Sequence, residues 1–246
     1  MPRFKLTIEY DGTDFVGWQR QDNGPSVQES LETAARAYCQ SDIPVTGAGR
    51  TDGGVHALGQ VAHLDIPRHD SPDKVVAALN AHLRPHRISV LRAEPAADDF
   101  HARFSAVERQ YEYRILNRRA PPALDIGRVW WLPMAIDADA MHDAARVLLG
   151  RHDFSTFRAA ECQAASPVKT LDELTVARRG EDIVVSARAR SFLHHQVRNI
   201  VGTLKLVGEG KWSARDLERA LAAADRAAGG QTAPATGLYL VAVRYP

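Results

Sequence analysis

Cysteine is scarce in this chain: Cys39 and Cys162 are the only two in 246 residues, far apart and in no Cys-x-x-Cys pair. That excludes a disulfide framework and a zinc knuckle, and two reduced thiols fit a cytoplasmic protein. Long apolar runs are missing as well. No stretch approaches the roughly 20 residues of a membrane span, and the opening residues lack the apolar core of a secretory signal, so an intracellular protein with no membrane partner is expected. Excess charge of one sign is also absent: 31 Lys+Arg stand against 30 Asp+Glu, a formal net charge of +1. Any phosphate binding must therefore come from local clusters of cations.

What is present is ordinary globular material, 45% hydrophobic and 25% charged, enough for a packed core. The length suits one large domain or two halves. Phe4, Leu6, Ile8 and Tyr10 alternate with polar residues, the period-2 pattern of a half-buried strand, ending at Asp11-Gly12. Ser26, three residues before Glu29, opens a helix that should stop near Ser41, and Ser71-Pro72 opens another reaching about Leu83. Strands are expected at Gln60 to Ile66 and Ile88 to Ala93. The alternation returns from Ala106 to Asn117, with Arg109, Tyr111, Tyr113 and Ile115 on one face.

After the break at Asn117 to Pro122, a helix is expected from Asp137 to Leu149 and strands near Leu171 to Arg178 and Ile183 to Ala189. An apolar helix from Phe192 to about Val207, a shorter one capped by Ser213 with Asp216, and a closing strand from Leu238 to Tyr245 complete the chain. Strands joined by turns as often as by helices favour an α+β fold with a largely antiparallel sheet. The expected organisation is an N-terminal α+β half, residues 1–105, and a C-terminal half, residues 106–246.

Residues 47 to 57 read Gly-Ala-Gly-Arg-Thr-Asp-Gly-Gly-Val-His-Ala, with four glycines around one carboxylate and one guanidinium. Such a loop suits the presentation of Asp52 to something bulky. A neighbouring Arg50 would favour the ionised carboxylate that nucleophilic attack requires. On composition alone an ordinary turn, in which Asp52 caps its neighbours and Arg50 faces water, is the favoured reading. The segment has neither the lysine of a phosphate-binding loop nor the dinucleotide spacing, so nucleoside triphosphate use is unsupported.

The segment Gly49 to His56 resembles the Gly-Arg-Thr-Asp-Ala-Gly-Val-His hallmark of the bacterial transfer-RNA pseudouridine synthases of the TruA family. The resemblance continues in order through Glu9 to Gly12, Gly17 to Arg20, Phe100 to Phe104, Arg109 to Tyr113, His152 to Ser155, Val197 to Gly202 and Gly237 to Pro246. It implies the pseudouridine synthase fold, with two similar halves around a central cleft. It implies too that uridine is isomerised to pseudouridine in the anticodon stem-loop of tRNA, at positions 38 to 40, by a homodimer. By the same resemblance Asp52 is the catalytic aspartate, Tyr111 the tyrosine that stacks on the target base, and Arg50 and Arg198 the cationic pocket residues; no cofactor and no metal are implied. Whether the carboxylate adds to sugar or base, or acts first as a base on the ribose, stays open. Read without the resemblance, Tyr111 also suits a core position and the arginines a solvated surface, although Arg198 lies in an otherwise apolar helix and should need a partner. Two positions depart from the family pattern: Gly53 replaces alanine and Gln196 replaces methionine.

Residues 101 to 119 carry five arginines against two glutamates, interleaved with Tyr111 and Tyr113, a basic stripe of the kind that binds RNA. Trp18, Gln19 and Arg20 form a second candidate patch, with Trp18 equally suited to the core. The pairs His194-His195 and His152-Asp153 invite a metal reading, but adjacent histidines on a helix point about 100° apart and do not make the i, i+4 zinc pair. Two rival functions stand beside the isomerase: a non-catalytic tRNA-binding or RNA-folding protein on the same scaffold, and a metal-dependent phosphodiesterase using Asp52, His56 and other histidines.

Overall fold

The computed structural model describes residues 1–246. Its strands are β1 (Arg3–Tyr10), β2 (Thr46–Gly47), β3 (His56–Asp65), β4 (Ile88–Ala96), β5 (Glu108–Asn117), β6 (Trp130–Leu132), β7 (Gly150–Asp153), β8 (Val168–Arg179), β9 (Asp182–Ala189) and β10 (Leu238–Arg244). Its helices are α1 (Val27–Cys39), α2 (Pro72–Leu83), α3 (Ala138–Ala145), α4 (Gln196–Gly208) and α5 (Ala214–Ala223). Pairing is mostly antiparallel, which makes the fold α+β, as the element order implies. The chain divides into two compact units, residues 1–107 with 239–246, and residues 108–238.

In the first unit the strand order is β4-β1-β3-β10. The alternation of β1 drives Phe4, Leu6, Ile8 and Tyr10 into the core, with Leu6 opposite Ala62 of β3 and Ala93 of β4. The last strand returns to this unit and pairs in parallel with β3, Tyr239 opposite His56 and Leu240 opposite Ala57. Both helix starts follow their sequence signals. The Ser26 hydroxyl accepts from the Glu29 N–H at 3.2 Å, satisfying a donor that the first turn of α1 leaves open, and Pro72 opens α2. Leu31 of α1 and Val75 and Leu79 of α2 are fully buried, each worth about 1.5–3 kcal/mol of apolar transfer.

The second unit has the order β5-β9-β8-β7, with β6 parallel to β5. Tyr113 lies opposite Val185 and Ile115 opposite Ile183, and all four side chains are buried. α3 packs on β8, and α4 packs against both α3 and β5. α5 opens with the capping box read in the sequence, Ser213 with Asp216. The remaining boundaries moved for local reasons. α3 ends at Ala145 and tightens into a 3-10 turn over Arg146–Leu148. α4 starts at Gln196 rather than near Phe192, because His195 takes a left-handed backbone with φ of 61°. β2, β6 and β7, of two to four residues, are too short to show an alternation.

Candidate active site

Asp52 lies between the buried Thr51 and a tight turn into β3. The Asp52 carbonyl accepts from the Val55 N–H at 3.1 Å, and Gly54 has φ of 79°, the left-handed value a type II turn needs at its third position. Residues 12–18 run alongside and fix this turn from the outside. Trp18 N–H donates to the Thr51 carbonyl at 3.0 Å, Gly54 N–H donates to the Phe15 carbonyl at 3.3 Å, and Gly17 bridges Asp52. The approach is so close that a Cβ on Gly12 would stand 2.0 Å from the Val55 carbonyl oxygen. From the core side, the Tyr10 and Thr51 hydroxyls are hydrogen-bonded at 2.7 Å, and the buried Gln60 amide donates to the Gly49 carbonyl at 3.0 Å. The backbone on both sides of Asp52 is thus held while its carboxylate stays half-exposed, the arrangement a reacting group needs.

The motifs around Asp52 divide into chemistry and scaffold. Asp11 caps the short turn after β1, accepting from the Thr13 N–H at 3.1 Å and facing Arg87 at 3.1 Å. His56 is buried, its ring stacked on Tyr239 at 4.7 Å. His56 Nδ1 accepts from the Gly12 N–H at 3.1 Å. The same nitrogen lies 3.2 Å from the Asp11 carboxylate, so the ring is held between that side chain and the Gly12 backbone. His56 acts as packing that ties Gly12 to the turn. Arg50 is exposed and forms no ion pair, so here it is not the counter-ion of Asp52; its charge faces solvent. Trp18 is core, and Gln19 and Arg20 engage α1 through Gln28, Glu29 and Glu32. Gly53 avoids the left-handed region, and an added Cβ would lie 3.2 Å from the Val16 carbonyl, close but near what a small shift relieves.

In the second unit, the face of β5 that is fully buried at Ile115 and Tyr113 opens at Tyr111, which is half-exposed with its ring edge-on to Phe192 at 5.2 Å. Tyr113, two residues further in, is the core tyrosine. Its hydroxyl donates to the Pro234 carbonyl at 2.7 Å. Burial pushes the Tyr113 phenol far up, and the positive charge of Arg198 offsets part of that shift. Arg198, half-buried on α4, is fixed in both directions by the segment before β10: its Nε donates to the Ala233 carbonyl at 2.8 Å, and Ala233 N–H donates to the Arg198 carbonyl at 3.1 Å. Thr232 bonds Asn199 at 2.7 Å and Gly230 N–H bonds Thr203 at 2.9 Å, so that segment is laced along α4.

The turn into α4 is under backbone strain. A non-glycine residue in the left-handed region costs about 1–2 kcal/mol, and His195 occupies it. The buried Gln196 side chain holds the turn, its Oε1 accepting from the Leu193 N–H at 2.8 Å. Cys162 Sγ accepts from the His194 N–H at 3.4 Å. Burial raises the Cys162 thiol, but the N–H groups of Ala164 and His194 and the Arg158 guanidinium outweigh it, leaving the value below an ordinary thiol. His152 and Asp153 are employed locally, the first against the Leu149 carbonyl at 2.7 Å and the second accepting from the Ser155 N–H at 2.8 Å.

The basic stripe is partly neutralised. Arg114 faces Glu112 at 3.6 Å, Arg118 pairs with Glu181 at 2.9 Å, and Glu108 pairs with Arg188 at 2.8 Å. Arg103 and Arg119 remain exposed. Sequence reasoning gave no role to Thr51 and placed Tyr10 only in the core. Their position inside the matched blocks was the available signal; that their hydroxyls meet is a tertiary fact.

A family model described as tRNA pseudouridine synthase matches residues 6–105 and 144–246. The chain is 64% identical over 245 residues to a protein of Rhodospirillum centenum named tRNA pseudouridine synthase A, covering 100% of both. It is similar to proteins of the same name in Rhodospirillum rubrum, 64% identical with 100% of this chain and 88% of the relative covered, and in Parvibaculum lavamentivorans, 58% identical with 100% of both covered.

Proposed function

Because the chain belongs to the tRNA pseudouridine synthase family, enzymes that isomerise uridine in tRNA, we propose that Asp52 is the nucleophile of that reaction and that its targets lie in the anticodon arm, at positions 38 to 40. The C1′–N1 glycosidic bond breaks, the freed uracil rotates in place, and C1′ rejoins at C5. The proton leaves C5 and N1 ends protonated, so atoms balance without a cofactor or metal.

The observation carrying this reading is the half-exposed Asp52 carboxylate on a turn fixed from both sides, within the segment that matches the family hallmark. Tyr111, at the open end of its strand face, stacks on the extruded base and serves proton transfer. Arg198, immobilised on α4, and Arg50, pointing to solvent before RNA arrives, supply positive charge for the carboxylate or for the phosphate beside the flipped nucleotide. The working enzyme is a cytoplasmic homodimer; no helix is long and apolar enough to cross a membrane.

Asp52→Asn and Asp52→Ala should abolish tritium release from tRNA labelled at uracil C5 while leaving fold and tRNA affinity largely intact. Full turnover in either variant removes Asp52 from the role. Mass-spectrometric mapping of the modified tRNA checks the positions.

A further inference from the structure

Phe104 keeps 73% of its surface in water, unusual for a phenylalanine. The loop beneath it is braced. His101 Nδ1 accepts from the Arg103 and Phe104 N–H groups at 3.2 and 3.3 Å, and Ser105 closes the turn through two bonds to His101. Below, Ala102 N–H donates to the buried His63, and the Tyr245 hydroxyl donates to the Ala102 carbonyl at 2.7 Å. Arg3, itself paired with Asp65, donates to the Asp98 and Phe100 carbonyls. The Phe104 ring lies 4.4 Å from the His101 ring, with the Arg103 guanidinium 5.7 Å from its centre.

We propose that Phe104, with Arg103 and His101, is a stacking platform for an unpaired base of the RNA substrate, outside the reacting nucleotide. The proposal rests on the isomerase reading for the identity of the RNA. Three flat π-faced groups, one of them cationic, match the way single-stranded RNA is gripped, by stacking and by charge. An apolar protein partner would want a contiguous patch of a few hundred Å². Here the groups against the ring are instead His101 and Arg103, and the same loop carries Ser105, Asp98 and Asp99.

The test is the affinity of the full chain for an unmodified tRNA transcript, measured by filter binding at fixed salt. Phe104→Ala and Phe104→Leu should each weaken binding at least about fivefold, the lower end for losing one base stack, whereas Phe104→Trp should bind like the wild type. Arg103→Ala should flatten the salt dependence by roughly one phosphate contact. Melting temperatures should not move, since the ring supports no core. Unchanged affinity in Phe104→Ala, or Phe104→Leu binding like the wild type, overturns the platform. So does a dimer-to-monomer change in molar mass at unchanged tRNA affinity, which would make a second copy the occupant. Pseudouridine formation by the wild type is assayed in parallel. Its absence beside a clear Phe104→Ala affinity loss defeats the isomerase reading and leaves the platform standing.

Discussion

The hydroxyls of Tyr10 and Thr51 meet at 2.7 Å in the interior of the first unit, one at the end of β1 and the other one residue before Asp52. The proposed nucleophile is thereby tied to a core strand of its unit rather than to a surface loop. Small errors in the position of a reacting group cost rate steeply, so this bond belongs to function as much as to stability.

Removing either hydroxyl takes away this buried hydrogen bond, at a cost of about 0.5–1.5 kcal/mol. Thr51→Val and Tyr10→Phe should each lower stability by that order in urea unfolding. Combined, they should cost less than the sum, because each variant alone already removes the same bond. Thr51→Ser keeps the bond and should restore both stability and turnover. In Thr51→Val, kcat should fall further than tRNA affinity; a kcat equal to wild type would mean the bond only holds the fold.

The close approach at Gly12 gives a second prediction. A methyl group there would sit 2.0 Å from the Val55 carbonyl oxygen, so either the 12–18 segment or the Asp52 turn must shift. Gly12→Ala should destabilise by about 1–3 kcal/mol, in the range of overpacked cores, and reduce turnover strongly. Gly49→Ala, three residues from Asp52 with no atom within 4 Å of the added Cβ, should stay within about 0.5 kcal/mol of wild type. Equal melting temperatures for the two variants would contradict the packing described.

What was legible in the sequence was local. Ser26 with Glu29, Ser71 with Pro72 and Ser213 with Asp216 each mark a helix start because a capping side chain bonds only a few residues ahead. The alternation in β1 and β5 marks strands because one face is buried. The parallel return of Tyr239 beside His56 carries no local mark, since the pairing spans most of the chain. The candidate residues were legible by type and motif, whereas their settings were not. Nothing in Gly-Arg-Thr-Asp tells that Arg50 faces solvent, and nothing near Arg198 tells that the Ala233 carbonyl anchors it. In the sequence His195 looks like one more helical residue; its strained φ depends on how Gln196 and Cys162 hold the turn.

Gln196, where the resemblance implies a methionine, has a setting that shows what the amide does. It is buried, and its Oε1 is the acceptor for the Leu193 N–H at the strained entry to α4. A thioether is a weak acceptor, so Gln196→Met should cost about 1–3 kcal/mol. Urea unfolding measures the cost, and faster hydrogen exchange at the Leu193 amide locates it. A variant as stable as wild type would show that the turn finds another acceptor.

His63 predicts a pH dependence. Burial, then the nearby charges of Arg3 and His101, hold its pKa below the usual value of about 6.5, with Asp65 pulling the other way. The unfolded chain therefore takes up this proton at a higher pH than the folded one. As pH falls from about 6.5 toward the lowered folded value, the unfolded state binds more protons and stability drops; below that value the contribution levels off. Protonation also removes the Nδ1 lone pair that accepts from the Ala102 N–H at 3.2 Å, so the loss should centre on the loop carrying Phe104. His63→Gln, which can offer an oxygen to the same N–H without titrating there, should remove this part of the slope of melting temperature against pH. Wild type should lose hydrogen-exchange protection at the Ala102 amide as the pH is lowered through that window, and the His63→Gln variant in the same buffers should keep it. Identical slopes and identical protection in both would mean that the groups around it, His101, Asp65, Asp98 and Asp99, carry the pH response instead.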